Sequence, residues 1–328
     1  MDDLDFVNKS YNVGTVLISG VFDGVINGNG HTIKNLKNAT IFEQFDGEVD
    51  NLNVDKFDYG AVYWEDPKFA QYVLLKDCNR SQSNIAVFAK KSLNAIYSNM
   101  KFSRITIFGH DNVAVVVSVD NNSTFEKIDI RQAYVNAGKN NNGGNKISTF
   151  ISEKTGGSIK NCYVHGEIFG EGKITGGIIG ISHGDVTIEN VISNIYASNG
   201  SIKDTGTNGL FIGDISAETV IRNSASIGLA SNSSSKVRRF AGTIADINSI
   251  ENCYEITSST GTSNVNGSNI KEATTTQLKD KNFYISTLGF DENIWELDNI
   301  VERHYTESVN AHGQVDSAFP KMLFFGLK

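Results

Sequence analysis

The sequence predicts an all-β solenoid, and three observations lead to that prediction. The chain of 328 residues contains 36 Asn and 31 Gly but only 2 Pro, and 39% of its residues are hydrophobic. This composition disfavours long helices, yet it supplies enough apolar side chains for a core. A short pattern centred on an Asn recurs along the chain, and no 10-residue stretch between its copies has helical periodicity. Units in which helices join the strands are therefore excluded, and stacked coils of short strands remain.

The repeat consists of an apolar residue, a polar or charged residue, an Asn and, in most copies, another apolar or small residue. Its clear copies are Ile33–Leu36, Val49–Leu52, Ile159–Cys162, Ile188–Val191, Ile221–Ser224 and Ile250–Cys253. Phe125–Ile128 has Lys127 at the Asn position, and Tyr97–Met100 is a looser copy. From Lys127 onward the anchor residues are 34, 29, 33 and 29 residues apart.

The segments around each copy predict two or three strands of 4 to 8 residues, separated by Gly, Asn or Ser turns. Parallel strands that recur about every 30 residues without helices are typical of coils that stack on one another. We predict a right-handed parallel β-helix of about eight coils over residues 1–270, with an excursion at 55–84. Residues 271–328 are predicted to form a C-terminal cap of a short helix and a last strand.

The recurring Asn has a structural role in this prediction. Asn tolerates unusual backbone angles at a bend, and its amide can bond to the same Asn one coil away. The predicted ladder comprises Asn35, Asn51, Asn161, Asn190, Asn223 and Asn252. The alternative, that these residues bind a ligand, is the less favoured interpretation.

Two stretches of the sequence resemble known β-helical proteins. Val21–Leu36, followed by Val49–Leu52, resembles the opening coils of bacterial surface proteins with GLUG-type repeats. It also resembles the non-catalytic amino-terminal part of immunoglobulin-A-cleaving zinc metallopeptidases. Leu278–Trp295, followed by Phe319–Leu323, resembles the closing segment of β-helices in surface proteins and in phage tail or appendage proteins. The resemblance implies a β-helix, but it specifies function poorly.

Peptidase activity does not follow from this resemblance. Those enzymes bind zinc through a His-Glu-x-x-His helix, and none of the six His in this chain is followed by Glu. The segment Met1–Asp5 is acidic with no apolar stretch behind it, which predicts no secretory signal in this chain. We therefore expect a virion or cell-surface module, most simply a phage tail component. The accessory region of a secreted metallopeptidase or adhesin stays an alternative.

Charge and composition exclude several classes of partner. The net charge is −8 and the only adjacent basic pairs are Lys90-Lys91 and Arg238-Arg239, which disfavours nucleic-acid binding. No apolar run approaches 18 residues, so no membrane span is expected. Cys78, Cys162 and Cys253 fit no disulfide framework or zinc site, and two of them are predicted to be small buried residues. The spacing of Glu302, His304, Glu307 and His312 fits no metal site, so neither metal nor cofactor is expected.

The excursion is the predicted ligand-binding segment. It is rich in aromatic residues, with Glu65 and Asp66 beside them, and exposed rings next to carboxylates suit sugar binding. We expect Tyr59, Tyr63 and Trp64 to contact a bacterial cell-surface glycan. The alternative, which is the more favoured interpretation of the excursion, is that it folds over the first coils and buries its own aromatic rings.

Carboxylates provide the remaining candidate chemistry, because many glycan-cleaving enzymes use paired Asp or Glu side chains. Glu153, Asp185, Asp214 and Asp246 occupy comparable places in successive repeats. They lie 8, 5, 9 and 6 residues before the following Asn, which does not predict a single aligned row. We therefore expect a non-catalytic module, with a polysaccharide-cleaving tailspike as the enzymatic alternative.

The two ends of a solenoid must be covered to prevent aggregation. A helix over Leu278–Leu288, capped near Thr275 or Thr276, would direct Leu278, Phe283 and Leu288 towards the last coil. Phe290 and Trp295 are expected to continue this cap. The apolar segment Phe319–Phe325 is expected either to add a last strand or to dock on a partner subunit, which would make the protein a homo-oligomer.

Overall fold

The computed structural model describes the chain apart from residues 1, 10, 67–68, 75–82, 138–145, 171–172, 198–206, 231–236, 260, 265–268 and 305–320. The described residues form a parallel β-helix. Strands of one coil pair in parallel with the equivalent strands of the next, and 21 strands join into one continuous sheet. None of the helices in the described residues has the length and apolar character that a membrane span requires.

The coils follow one another in chain order. The first two contain β1 (Leu4–Asp5), β2 (Thr15–Phe22), β3 (Val25–Asn27), β4 (Thr32–Lys34), β5 (Ala39–Phe45), β6 (Glu48–Asp50) and β7 (Asn53–Tyr59). A hairpin of β8 (Ala61–Asp66) and β9 (Phe69–Leu74) follows the second coil and precedes the third. The third and fourth coils contain β10 (Ser83–Ile85), β11 (Ala89–Leu93), β12 (Ile96–Gly109), β13 (Asp111–Val113), β14 (Val117–Asn121) and β15 (Thr124–Ala137).

The later coils repeat this plan. The fifth and sixth contain β16 (Lys146–Ser148), β17 (Ile151–Gly170), β18 (Ile174–Gly176) and β19 (Ile179–Ala197). The last coils contain β20 (Thr207–Gly209), β21 (Ile212–Ile215), β22 (Val220–Arg222), β23 (Ala225–Ser226), β24 (Leu229–Ala230), β25 (Ala241–Ile244), β26 (Ile250–Glu251), β27 (Cys253–Ile256) and β28 (Ile270–Ala273). A short 3-10 turn, Ile247–Ser249, precedes β26.

Residues in left-handed backbone conformation bend the strands at the same place in the second to eighth coils. Asn51, Asn99, Lys127, Asn161, Asn190, Asn223 and Asn252 all have φ between 49° and 56°. Most L-residues avoid this region, and Asn enters it more easily because its short polar side chain bonds locally. The predicted equivalence of Lys127 with the recurring Asn is therefore confirmed.

The amide ladder is present in pairs of neighbouring coils. Asn190 donates from Nδ2 to Oδ1 of Asn161 at 3.5 Å, and Asn252 donates to Oδ1 of Asn223 at 2.9 Å. Nearer the amino terminus, Nδ2 of Asn99 donates to the Asp50 carboxylate at 2.6 Å instead.

Asn35 does not belong to this ladder. Because Asn27 pairs with Asp50, the residue opposite Asn51 is Gly28, and Asn35 lies opposite Lys56 at a second bend. That bend continues through Arg104 and Gln132, all with positive φ. Both bends impose the same backbone conformation, so both favour Asn, and the sequence pattern does not distinguish between them.

Two hydrophobic cores stabilise the molecule. The first fills the inside of the coils with stacked apolar and aromatic side chains, such as the parallel rings of Tyr97 and Phe125, whose centroids are 4.5 Å apart. Cys162 and Cys253 are buried free thiols, as predicted, and burial raises the pKa of each to about 12. The second core lies between the side of the later coils and the C-terminal cap.

The cap begins with a short helix, α1 (Thr275–Leu278), followed by a π-helical turn at Phe283–Thr287. Its N-cap is Thr274, which forms a capping box with Gln277, rather than Thr275 or Thr276. The predicted cap residues Leu278, Phe283, Leu288, Phe290 and Trp295 are all buried. β29 (Trp295–His304) and β30 (Lys321–Leu327) then pair as an antiparallel hairpin.

This hairpin folds back along the side of the coils. The Arg131 guanidinium fills the space in which any side chain at Gly326 would lie, the Tyr163 and Phe325 rings are 5.4 Å apart, and Asn194 donates to the Leu323 carbonyl. The apolar C-terminal segment therefore packs on its own chain, through β30.

The ladder predicts a specific pattern of stability. Replacing Asn190 by Ala removes the amide and places an L-residue without a local side-chain bond at φ 54°, so we expect a loss of roughly 1–3 kcal/mol in unfolding free energy. Asn190→Gly loses the amide but accepts the backbone angle, so it should be less destabilised. Chemical denaturation of both variants checks this, and an unchanged midpoint for Asn190→Ala would contradict it.

Candidate functional site

One outward-facing position changes from polar to apolar along the helix. Strand pairing aligns Asn53, Lys101 and Asp129 in the second to fourth coils with Tyr163, Ile192, Ala225 and Tyr254 in the fifth to eighth. The apolar members belong to the second core, beneath the cap. The polar members lie where this cover ends, so a groove forms between the exposed coil side and the C-terminal hairpin.

We call this feature the hairpin groove. Its larger part has a volume of about 680 Å³ and lies between Lys101, Asp129 and Arg131 on the coils and Glu296, Asn299 and Val301 on β29. A second part of about 390 Å³ continues past Asn51, Asn99 and Lys127 towards Lys328. Lys101, Asp129 and Leu327 line both parts, so the two are continuous.

The floor of the groove carries an ion pair between a buried carboxylate and a half-exposed guanidinium. The Asp129 carboxylate is 2% exposed and accepts from Nε of Arg131 at 3.0 Å, and Arg131 Nη2 lies 2.8 Å from Oδ2. Burial raises the pKa of Asp129, and the Arg131 guanidinium opposes that rise. Since the Arg131 guanidinium also lies against Gly326 of β30, the pair connects the floor of the groove to the hairpin.

Two further side chains with altered proton affinity line the larger part of the groove. Asn194 donates to the Tyr163 hydroxyl at 3.0 Å, and burial raises the pKa of that phenol well above its usual range. His165 accepts at Nδ1 from the Gln132 backbone N–H at 3.3 Å. Burial, assisted by Arg131, lowers the pKa of His165 to about 3, so the imidazole is neutral at pH 7. Altered groups around one cleft are typical of functional sites.

The predicted ligand-binding residues do not lie together in the described part of the chain. Tyr59 is 1% exposed and stacks on Phe57 within the coil core, so its ring is not available to a sugar. That part of the prediction is wrong, because β7 extends to Tyr59 and directs its ring inwards. Tyr63 and Trp64 lie on β8, opposite Tyr72 and Gln71, and their side chains are outside the described set.

One predicted ladder residue lies at the groove itself. Asn51 is exposed and lines the smaller part of the groove, beside Asn99 and Lys127 of the next two coils. The ladder position is thus a bend throughout the helix and also a groove wall in the early coils. Sequence analysis missed Lys101, Asp129 and Arg131, although the change from polar to apolar residues at one repeat position could have indicated them.

Two of the four candidate carboxylates share one row. Glu153 pairs with Ile181, which pairs with Asp214, so the two acids lie two coils apart at the same position. His183 lies near both, with Nε2 3.4 Å from Glu153 Oε1, and Lys146 also pairs with Glu153. Burial raises the pKa of Asp214, and His183 opposes this rise. Asp185 lies apart, at the register irregularity that follows Gly184 within β19, and Asp246 caps the 3-10 turn by accepting from the Asn248 backbone N–H.

Within the residues that the structure describes, no group of three or more His, Cys, Asp or Glu side chains has the geometry of a metal site. Glu302 pairs with Lys279 across the cap. Glu307, His312 and Cys78 lie outside the described residues, as does the side chain of His304.

The fold and the groove define the class of the molecule: a parallel β-helix with a groove along one side, and a C-terminal hairpin that forms the outer wall of that groove. No known protein family and no curated protein matches the sequence. Among solved structures, the chain is similar to the crystal structure of a "putative immunoglobulin A1 protease" from Bacteroides ovatus. The two chains are 17% identical, the match covers 90% of this chain and 81% of that one, and the TM-score is 0.48. At this distance the likeness identifies neither an activity nor a ligand.

The neutral His165 predicts a dependence of stability on pH. Its pKa is about 3 when folded and about 6.5 in an unfolded chain. The unfolded state therefore binds the extra proton between these values, and stability should fall by about 1.4 kcal/mol per pH unit as pH decreases from 6.5 towards 3. Above pH 6.5 the imidazole is neutral in both states, so none of this stability is lost there.

Denaturation midpoints at pH 7 and pH 5 test this dependence. In His165→Asn, Oδ1 replaces the Nδ1 acceptor without a titrating ring, so the difference between the two midpoints should shrink relative to the unsubstituted protein. His183→Asn, a change at a half-exposed ring, should leave the difference intact. Equal differences in all three proteins would contradict the assignment.

Proposed function

We propose that the protein is a non-catalytic surface module that binds a bacterial cell-wall glycan in the hairpin groove. One observation carries the proposal: polar side chains from three successive coils, Asn51, Lys101 and Asp129 among them, line an open groove with a fixed wall. Successive coils repeat at about 4.8 Å along the helix axis, so the groove presents a regular series of donors and acceptors to an extended ligand.

The chemistry of the lining suits a hydroxyl-rich polymer. The amides of Asn51, Asn53 and Asn99 each provide both a donor and an acceptor, while Lys101 and Lys127 provide cationic donors. Concave sites of this size combine apolar walls with a few oriented polar groups, and Val301 and Leu327 supply the apolar part. The altered proton affinities of Tyr163 and His165 keep both groups neutral beneath the groove at pH 7.

Three settings use such a module: a phage tail or appendage, a bacterial adhesin, and the accessory region of a secreted metallopeptidase. The phage setting is the first proposal, and it places the protein on the virion, in contact with the host cell wall. The groove supports glycan recognition equally in all three. Tyr63 and Trp64 remain proposed additional contacts on the excursion.

Co-sedimentation with purified Gram-positive cell walls tests the proposal. Lys101→Ala combined with Lys127→Ala removes two donors from the groove, and we expect binding to weaken at least tenfold with little change in the unfolding midpoint, because neither side chain belongs to either core. The matched control is Lys90→Ala combined with Lys91→Ala, on β11 away from the groove. If both double variants bind alike, the groove is not the binding site.

Polysaccharide cleavage is a second candidate function, favoured by the shared row of Glu153 and Asp214. Two coils correspond to about 10 Å between Cα atoms, close to the separation of roughly 6.5–9.5 Å between carboxyl groups in inverting glycosidases. Asp214, with its raised pKa, would be the acid, and Glu153, paired with Lys146 and His183, would be the base.

Release of soluble glycan or teichoic-acid fragments from the same cell walls separates the two functions. Cleavage should disappear in Glu153→Gln and in Asp214→Asn but persist in Asp185→Asn, which changes an exposed acid elsewhere on β19. Binding without release by the unsubstituted protein would eliminate the enzymatic candidate and leave the binding module.

A further inference from the structure

An ion pair whose two members are both buried lies inside the coils, and neither candidate site uses it. Lys154 and Asp120 are 0% and 1% exposed, and they pair directly across β17 and β14 of adjacent coils. Lys154 Nζ lies 2.6 Å from Asp120 Oδ2 and donates to the Ser123 carbonyl at 2.9 Å. The Phe125 ring centroid is 4.9 Å from the same nitrogen.

This enclosure penalises both charges. Removing an ammonium and a carboxylate from water costs several kcal/mol per ion, and their attraction offsets this only when each group is fully hydrogen-bonded. Asp120 Oδ1 has no hydrogen-bond partner among the described residues. Burial also lowers the pKa of Lys154, which favours the neutral amine. Transfer of one proton across the 2.6 Å contact produces an uncharged amine beside an uncharged carboxylic acid.

A neutral lysine amine in contact with a carboxylic acid is the reactant pair for amide formation. We propose that Lys154 and Asp120 condense into an intramolecular isopeptide bond. The Nζ lone pair forms a bond to Asp120 Cγ, the Cγ–Oδ2 bond breaks, and Oδ2 leaves as water with two protons from the original ammonium group. No oxidant, cofactor or second protein takes part, so atoms and electrons balance within the pair.

The surroundings of the pair are polar and fit the product. A chain of buried hydroxyls runs from Tyr97 to Ser92 at 3.0 Å and on to Ser123 at 2.9 Å, next to the carbonyl that Lys154 contacts. The remaining N–H of the amide keeps its bond to the Ser123 carbonyl. Condensation removes both buried charges and links the fourth coil to the fifth through their side chains.

Intact mass spectrometry of the full chain, purified and then denatured, tests the proposal directly. We expect the mass to be lower than that of the sequence by one water molecule. Fragmentation should identify a branched peptide joining the segment that contains Asp120 to the segment that contains Lys154. Lys154→Met should show its full sequence mass, whereas Lys146→Ala, at a surface ion pair on the neighbouring strand, should retain the deficit.

The unsubstituted protein alone is decisive, so the proposal does not depend on the folding of a variant. A full sequence mass, or recovery of Asp120 and Lys154 in two separate linear peptides, would overturn the isopeptide bond. Neither result bears on cell-wall binding, because the pair lies inside the coils and the groove lies outside them.

Discussion

The fold depends on one backbone constraint, which is that each coil must bend at a left-handed residue lying directly over the bend of the coil below. Seven residues in one such column have φ between 49° and 56°. If a bend moved by one residue, every side chain beyond it would change sides, and the inner column of apolar residues would face solvent. Asn meets this requirement because it accepts the angle, and its amide bonds from coil to coil where neighbours also carry Asn.

That constraint explains how much the sequence alone predicts. Repeated Asn and apolar positions indicate the coils, the strand periods and the cap, since these features depend on local backbone preference and hydrophobic pattern. Asn35 was assigned to the wrong bend because two bends per coil require the same residue type. Tyr59 was assigned to the surface because only the strand register shows that β7 continues to it.

The hairpin groove was not predictable in the same way, because it depends on contacts distant in sequence. Lys101, Asp129 and Arg131 are ordinary outward-facing residues until β29 and β30 fold back beside them. The same holds for Glu153 and Asp214, whose distances to the following Asn differ although strand pairing places them in one row. A binding surface on a solenoid thus follows from which outward positions the cap leaves uncovered.

The return of the hairpin along the coils also has a consequence for the order of folding. Side-chain contacts between neighbouring coils join residues at most about 50 positions apart, such as the 29 between Asn161 and Asn190 and the 49 between Asp50 and Asn99, whereas the bond from Asn194 to Leu323 spans 129. Chain segments that are close in sequence meet sooner, so the coils can propagate one upon another before the hairpin docks. The wall of the groove is then the last part of the molecule to form, and a nascent chain would have a finished scaffold before it had a finished groove.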